Sequence, residues 1–204
     1  MPQADDGWSR RPVWAGILVG GGSTRMGEPK ALLRGGGLTF VERIMMAVLA
    51  RIEQVVVLGD SPLPPTLHGV TQLSDVPGLA GPLAGMLAAM RWAPETCWVM
   101  IACDLPLLRS EAVDWLLEQR GPDRRAVLPR LSAQRVEPLL AVYEPKSREL
   151  LEKLVAAGLR SPHSLAGQPR VYSPTPPEAL RRCWTNVNTP EELLAIANLV
   201  DEPR

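Results

Sequence analysis

Histidine and cysteine are scarce: the 204-residue chain has two of the first and three of the second. His68 and His163 stand in stretches rich in proline, glycine or serine, so a zinc site or a serine-histidine triad has little to be built from. Both read as loop residues. Cys97, Cys103 and Cys183 are odd in number and lack Cys-x-x-Cys spacing, which fits reduced structural thiols better than a disulfide framework or a metal site. Excess charge of one sign is also missing, since 22 Lys+Arg balance 22 Asp+Glu, and with it the basic footprint that would make nucleic acid a partner. Apolar runs such as 55–58 and 98–102 fall far short of the roughly 20 residues that span a bilayer, so no membrane is expected as a partner. Residues 1–12 are polar and have no apolar core of a secretory signal; they read as a flexible leader on a cytoplasmic chain.

What is present is 46% hydrophobic residues, enough for one substantial core, and a single domain is expected over 13–204. Val13 to Val19 is an apolar run stopped by Gly20-Gly21-Gly22, a strand buried on both faces. Thr39 caps a helix carrying Phe40, Val41, Ile44, Ala47, Val48 and Ile52, and a buried strand resumes over 55–58. A proline-bearing loop (60–69) and a short strand (70–73) precede a helix over 81–92 and a strand over 97–102. Further elements are expected as a helix over 110–119, strands over 126–128 and 138–143, a helix over 146–157 and a short helical turn over 161–165. A proline-rich stretch over 169–177 then leads to a closing helix from Pro190 to about 199, with Thr189 as its cap. Such alternation predicts an α/β fold, a three-layer Rossmann-like sandwich around a mostly parallel sheet.

In such folds ligands bind at the carboxyl ends of the strands. The loop after the first strand reads LVGGGSTRMGEPK from Leu18 to Lys30. Its glycines let backbone N–H groups approach phosphate oxygens, and Arg25 and Lys30 can neutralise a polyphosphate. A Walker A loop needs GxxxxGK[ST], whereas Gly22 and Gly27 are followed by Glu28-Pro29-Lys30. A dinucleotide fingerprint begun at Gly20 would put Arg25 where its third glycine belongs. The bland alternative is a flexible turn with two solvated cations. The loop after the strand over 97–102 carries Asp104 in Cys103-Asp104-Leu105-Pro106, either a Mg²⁺ ligand or a turn residue.

Taken together, LVGGGSTRMGEPKALL, GPLAGM (81–86), CDLP (103–106), EPLLAVY (137–143) and NVNTPEEL (186–193) resemble, in order, the motifs of the molybdenum cofactor guanylyltransferases of the nucleotidyltransferase superfamily. The resemblance spans about residues 13–198 and implies the nucleotide-diphospho-sugar transferase type of fold. It further implies GMP transfer from GTP to the terminal phosphate of molybdopterin, with release of pyrophosphate. Leu18, Val19, Gly20 and Gly21 would then contact GTP, with Lys30 on its phosphates, Arg25 and Lys30 as catalytic cations, and Asp104 as the ligand of Mg²⁺. Asp75 would help hold the guanosine, although its spacing to Gly81 is one residue shorter than the family's. Asn186 and Asn188 would recognise molybdopterin; their bland alternative is entry into the closing helix. Val19 replaces the family's usual alanine, and Leu58 stands where some members have a nucleotide-contacting asparagine. Through Gly20 and GPLAGM the resemblance implies GTP in preference to CTP.

The rival activities are transfer of another base, transfer to a sugar phosphate, and nucleotide or cofactor binding without catalysis; the last would not need Asp104. Trp92, Trp98 and Met90 are core residues or a surface for a protein partner, such as a molybdoenzyme or a cofactor-biosynthesis protein met transiently.

Overall fold

Apolar residues at every position of a strand, and not at alternate ones, require cover on both faces. The computed structural model, which describes residues 8–20 and 29–201, supplies that cover. In chain order the elements are β1 (Val13–Leu18), β2 (Arg34–Gly35), β3 (Leu38–Thr39), α1 (Phe40–Leu49), β4 (Gln54–Leu58), β5 (Gln72–Leu73), α2 (Pro82–Trp92), β6 (Cys97–Ala102), α3 (Ser110–Glu118), β7 (Ala126–Val127), β8 (Leu140–Tyr143), α4 (Arg148–Ala156), β9 (Val171–Tyr172) and α5 (Pro190–Asp201). Seven strands form one sheet in the order β5-β4-β1-β6-β8-β7-β9. Only β8 runs against its neighbours, so the sheet is mostly parallel, as expected.

Successive side chains point to opposite faces, and the core divides accordingly. Ile17, Val55, Val57, Val99 and Ile101 face a cluster shared with Ile44 and Val48 of α1 and Val113 and Leu116 of α3. Leu18, Val56, Leu58, Trp98 and Met100 face the other, shared with Leu83, Met86, Leu87 and Met90 of α2 and Leu151 and Leu154 of α4. Trp98 and Met90 are therefore core residues, whereas Trp92 is 49% exposed and lies against Trp14, with ring centroids 5.4 Å apart.

The helix starts carry the expected signals. Thr39 accepts from the Glu42 N–H, and the Glu42 side chain accepts from the Thr39 N–H at 2.7 Å, a reciprocal cap on α1. Thr189 accepts from the Glu192 N–H at 3.2 Å at the head of α5. Two features were not foreseen. Between Lys30 and α1 the chain makes a β2–β3 ribbon, whose turn residues Gly36 and Gly37 have φ of 58° and 81°, the left-handed pair that a tight hairpin needs. Inside the proline-rich stretch, β9 pairs in parallel with β7 before a 3-10 helix over Glu178–Trp184. Periodicity cannot reveal a two-residue edge strand set among prolines.

α5 closes over the ribbon. Arg43 donates to the Val200 carbonyl, and a β-carbon at Gly35 would overlap the Val200 side chain. No described helix is long and apolar enough to cross a membrane.

At the amino ends of the strands, Arg120 donates to Glu144 at 2.8 Å, with their side chains 8% and 4% exposed. Arg120 also reaches the Trp8 carbonyl at 3.2 Å and lies over the Trp8 ring, while Arg11 lies 3.7 Å from the second Glu144 oxygen. Arg120→Met leaves a buried carboxylate short of its nearest cation, so a loss of about 3–5 kcal/mol in unfolding free energy is expected. Urea titration of the variant measures it.

Candidate functional site

β1 and β6 lie side by side in parallel, with Leu18 opposite Ala102, so the loops that follow them leave from the same edge of the sheet. The Cys103 N–H donates to the Leu18 carbonyl at 3.0 Å and extends the ladder one step beyond the strands, placing Asp104 at the tip. Because β8 is antiparallel to β6, its amino end, and not its carboxyl end, comes to this edge: Leu140 pairs with Ile101, and the Ala102 N–H donates to the Leu139 carbonyl at 3.1 Å. The residues ahead of β8 thus arrive beside Asp104 through a reversal of strand direction.

Four of the expected residues form one hydrogen-bonded group. The Lys30 Nζ, at the start of a 3-10 turn over Lys30–Leu32, donates to Asp104 Oδ2 at 2.9 Å and to Asn188 Oδ1 at 2.5 Å. The other carboxylate oxygen, Asp104 Oδ1, accepts from Asn186 Nδ2 at 2.9 Å. The Asp104 carbonyl accepts from the Val187 N–H at 2.9 Å, so the segment 186–188 grips this residue by main chain and side chain. Between the two asparagines Val187 points the opposite way, fully buried with Leu33 and Phe40.

The two asparagines that the resemblance assigns to the acceptor therefore touch the residues that it assigns to the nucleotide and its metal. Arg135 was not foreseen here. It sits two residues before the start of the EPLLAVY motif, with Nη2 3.5 Å from Asn186 Oδ1 and its Nε paired with the Glu137 carboxylate. Nothing in local sequence pattern separates it from a solvated hairpin arginine.

A second group gathers at the ends of β1 and β4. The Val19 N–H donates to the Leu58 carbonyl at 2.9 Å and the Ser61 hydroxyl donates to the Val19 carbonyl at 2.7 Å. Gly59, at φ 109°, passes so close that a β-carbon there would stand 3.0 Å from the Gly20 nitrogen. Asp75 lies across from these residues: a β-carbon on Gly20 would stand 3.6 Å from its Oδ2, and one on Gly85 of α2 would stand 3.2 Å from its Oδ1. The absence of side chains at both glycines leaves a cradle around the carboxylate. Burial, with the nearby Asp60 charge as a smaller cause, pushes the Asp75 carboxyl above the usual range. Leu58 is fully buried in the core and presents no polar group here. Gly21 and Arg25 lie outside the described residues.

All three cysteines are buried and free. Burial pushes the Cys103 thiol up to about 12, with the Asp104 charge as a second cause, so it is inert despite its position. His68 and His163 are exposed. Among the described residues no three His, Cys, Asp or Glu side chains gather around a common point. A cavity of about 800 Å³ lies elsewhere, lined by residues such as Met46, Arg109, Arg182 and Leu199, and none of Lys30, Asp75, Asp104, Asn186 or Asn188 borders it.

Residues 15–171 match the model of the MobA-like NTP transferase domain. A Bacillus cereus protein described as a probable molybdenum cofactor guanylyltransferase is 33% identical over 187 residues, 88% of this chain and 93% of its own. A Bacillus mycoides protein of the same description is 30% identical over 183 residues, 86% and 91% of the two chains. Among solved structures, molybdopterin-guanine dinucleotide biosynthesis protein A from Archaeoglobus fulgidus superposes with a TM-score of 0.72 at 23% identity, covering 91% of this chain and 97% of that one. The 2-C-methyl-D-erythritol 4-phosphate cytidylyltransferase of Thermus thermophilus gives 0.66 at 20% identity, covering 92% and 98%.

The raised Asp75 carboxyl is a cost to the folded state whenever it is ionised. That cost is absent below about pH 4, where folded and unfolded chains both hold the proton, and it grows as pH rises through the folded-state pKa. Asp75→Asn is therefore expected to melt above the wild type at pH 7, with the difference closing toward pH 4. Thermal melts of both proteins across that range measure the crossover.

Proposed function

On the premise that this chain belongs to the MobA-like NTP transferase family, we propose that it transfers GMP from GTP to the terminal phosphate of molybdopterin, releasing pyrophosphate and forming molybdopterin guanine dinucleotide. We further propose one nucleotidyltransferase domain over 13–204. The observation that carries the reading is the joining of Lys30, Asp104, Asn186 and Asn188 from three distant parts of the chain at the carboxyl edge of the sheet, in a chain 33% identical to relatives described as guanylyltransferases.

The chemistry suits these residues. An acceptor phosphate is already an oxyanion at neutral pH, so its oxygen attacks the α-phosphorus without a general base, and the bond from that phosphorus to the bridging oxygen breaks as pyrophosphate leaves. Two anions must be brought into line, which makes positioning and charge neutralisation the main demands. The Lys30 ammonium answers part of the second, and Arg25 is assigned beside it. The acceptor side falls to Asn186 and Asn188.

A divalent metal of the Mg²⁺ type fits the donor set. Such ions take one or two carboxylates and complete their octahedron with phosphate oxygens and water. Asp104 offers two oxygens, each with a lone pair left after its contact to Asn186 or Lys30. Bound there, Mg²⁺ would offset charge on the phosphates. Base recognition is assigned to Leu18, Val19, Gly20, Gly21 and Asp75. Guanine presents N–H donors, which a carboxylate accepts; cytosine at the same place leaves acceptors facing that carboxylate.

Pyrophosphate release by the purified protein with molybdopterin, Mg²⁺ and each of four nucleoside triphosphates tests the reading. GTP is expected to exceed CTP by about tenfold or more, from a penalty of roughly 1–3 kcal/mol for unpaired polar groups. Equal turnover of the two, or turnover only with a sugar phosphate as acceptor, would overturn it. Asp104→Ala should lower transfer by about a hundredfold or more while the fold persists, since the side chain lies outside the core; activity at the wild-type level with the same metal dependence removes Asp104 from this role.

A further inference from the structure

We infer that Asn188 is a positioning residue for the Lys30 ammonium, so that the carboxyl-terminal motif serves the nucleotide phosphates as well as the acceptor. The inference rests on the proposed GTP-dependent transfer and concerns how the cation of that site is held.

An ammonium has three N–H donors and sits on a four-carbon stem with many rotamers. Two of the three are spent on the protein: one on Asp104 Oδ2 at 2.9 Å and one on Asn188 Oδ1 at 2.5 Å. One donor is left, and its direction follows from the other two. Lys30 is partly open to solvent, its side chain 25% exposed and that of Asp104 15%. At such exposure an ion pair alone restrains a lysine weakly, and the second, neutral acceptor converts a swinging cation into a fixed one. A phosphate then meets an ammonium whose ordering has been settled beforehand.

The support for Asn188 is independent of Lys30. Its main-chain N–H donates to Glu192 Oε2 at 2.6 Å in the first turn of α5, and α5 is seated by Arg43 on the Val200 carbonyl. The preceding residue, Val187, is fully buried with Leu33 and Phe40, and Leu193 and Ile196 of α5 pack on the same cluster. Leu33 directly follows the 3-10 turn that begins at Lys30. One small apolar cluster therefore fastens the turn bearing the cation to the segment bearing its acceptor, across 158 residues of sequence. Asn186 does the corresponding work on the other partner, holding Asp104 Oδ1 while its own Oδ1 faces Arg135.

If Asn188 served only the acceptor, its loss would leave GTP binding untouched when no acceptor is present. If it acts through Lys30, the effect must appear with GTP alone and must vanish once Lys30 is gone. The experiment is calorimetric titration of the full chain with GTP and Mg²⁺, without molybdopterin, for the wild type, Asn188→Ala, Lys30→Ala and the double variant, with a melting curve for each. Asn188→Ala is expected to weaken GTP by about tenfold or more, in line with loss of a hydrogen bond to a charged group, and to add nothing in the Lys30→Ala background. Asn188→Leu, close to asparagine in size and without an acceptor, reads the same way should the smaller variant fail to fold. Unchanged GTP affinity in Asn188→Ala, or the same loss in both backgrounds, overturns the inference while wild-type GTP binding leaves the functional reading standing. A wild type that binds no GTP removes the functional reading itself, and the inference with it.

Discussion

A carboxylate and an ammonium held 2.9 Å apart at the edge of a sheet, each partly wet, are the pair around which the other groups of the candidate site are arranged. Such a pair adds little to stability, and its location explains its form better than its energy does. Asp104 stands one residue beyond the extended ladder of β6, Lys30 beyond the described end of β1 and ahead of the ribbon, and the two asparagines on a segment fastened beneath by Val187. Each arrives by a different route, and the charges meet because the apolar parts of those routes pack together.

The sheet supplies the rigidity. β1, β4 and β6 are buried on both faces, and the parallel direction they share sends their carboxyl ends to one edge. The reversed strand β8 has a consequence for the same edge. It brings Arg135 and Glu137 to the edge with their hairpin, and Trp184, by donating to the Leu140 carbonyl at 3.1 Å, ties the approach to Asn186 onto the beginning of that strand. A seventh strand in the common direction would have sent these residues to the opposite side.

Asp75 shows the opposing tendency. Its carboxylate is half-buried, faces two glycines and carries the cost of desolvation together with the Asp60 charge. A fold tuned for stability alone would not keep an acid there, and sites that bind ligands commonly hold such groups at the expense of stability.

The buried strands, the cap of α1 at Thr39 with Glu42 and the cap of α5 at Thr189 are all written in the order of residues. Local physics decides them: apolar continuity, a hydroxyl at a helix start, an acid three places on. The sequence motifs single out Asp104 and the asparagine pair by residue types that suit phosphate and acceptor chemistry, and the family is likewise legible. The direction of β8, the β9 edge pairing and the place of Arg135 are not. Strand direction depends on which surfaces remain to be covered once the other layers are packed, and two-residue elements carry no period to read. Nor does local pattern reveal that Asn188 touches Lys30. That contact spans 158 residues, and it exists because Leu33, Phe40 and Val187 share a cluster that only the folded chain assembles.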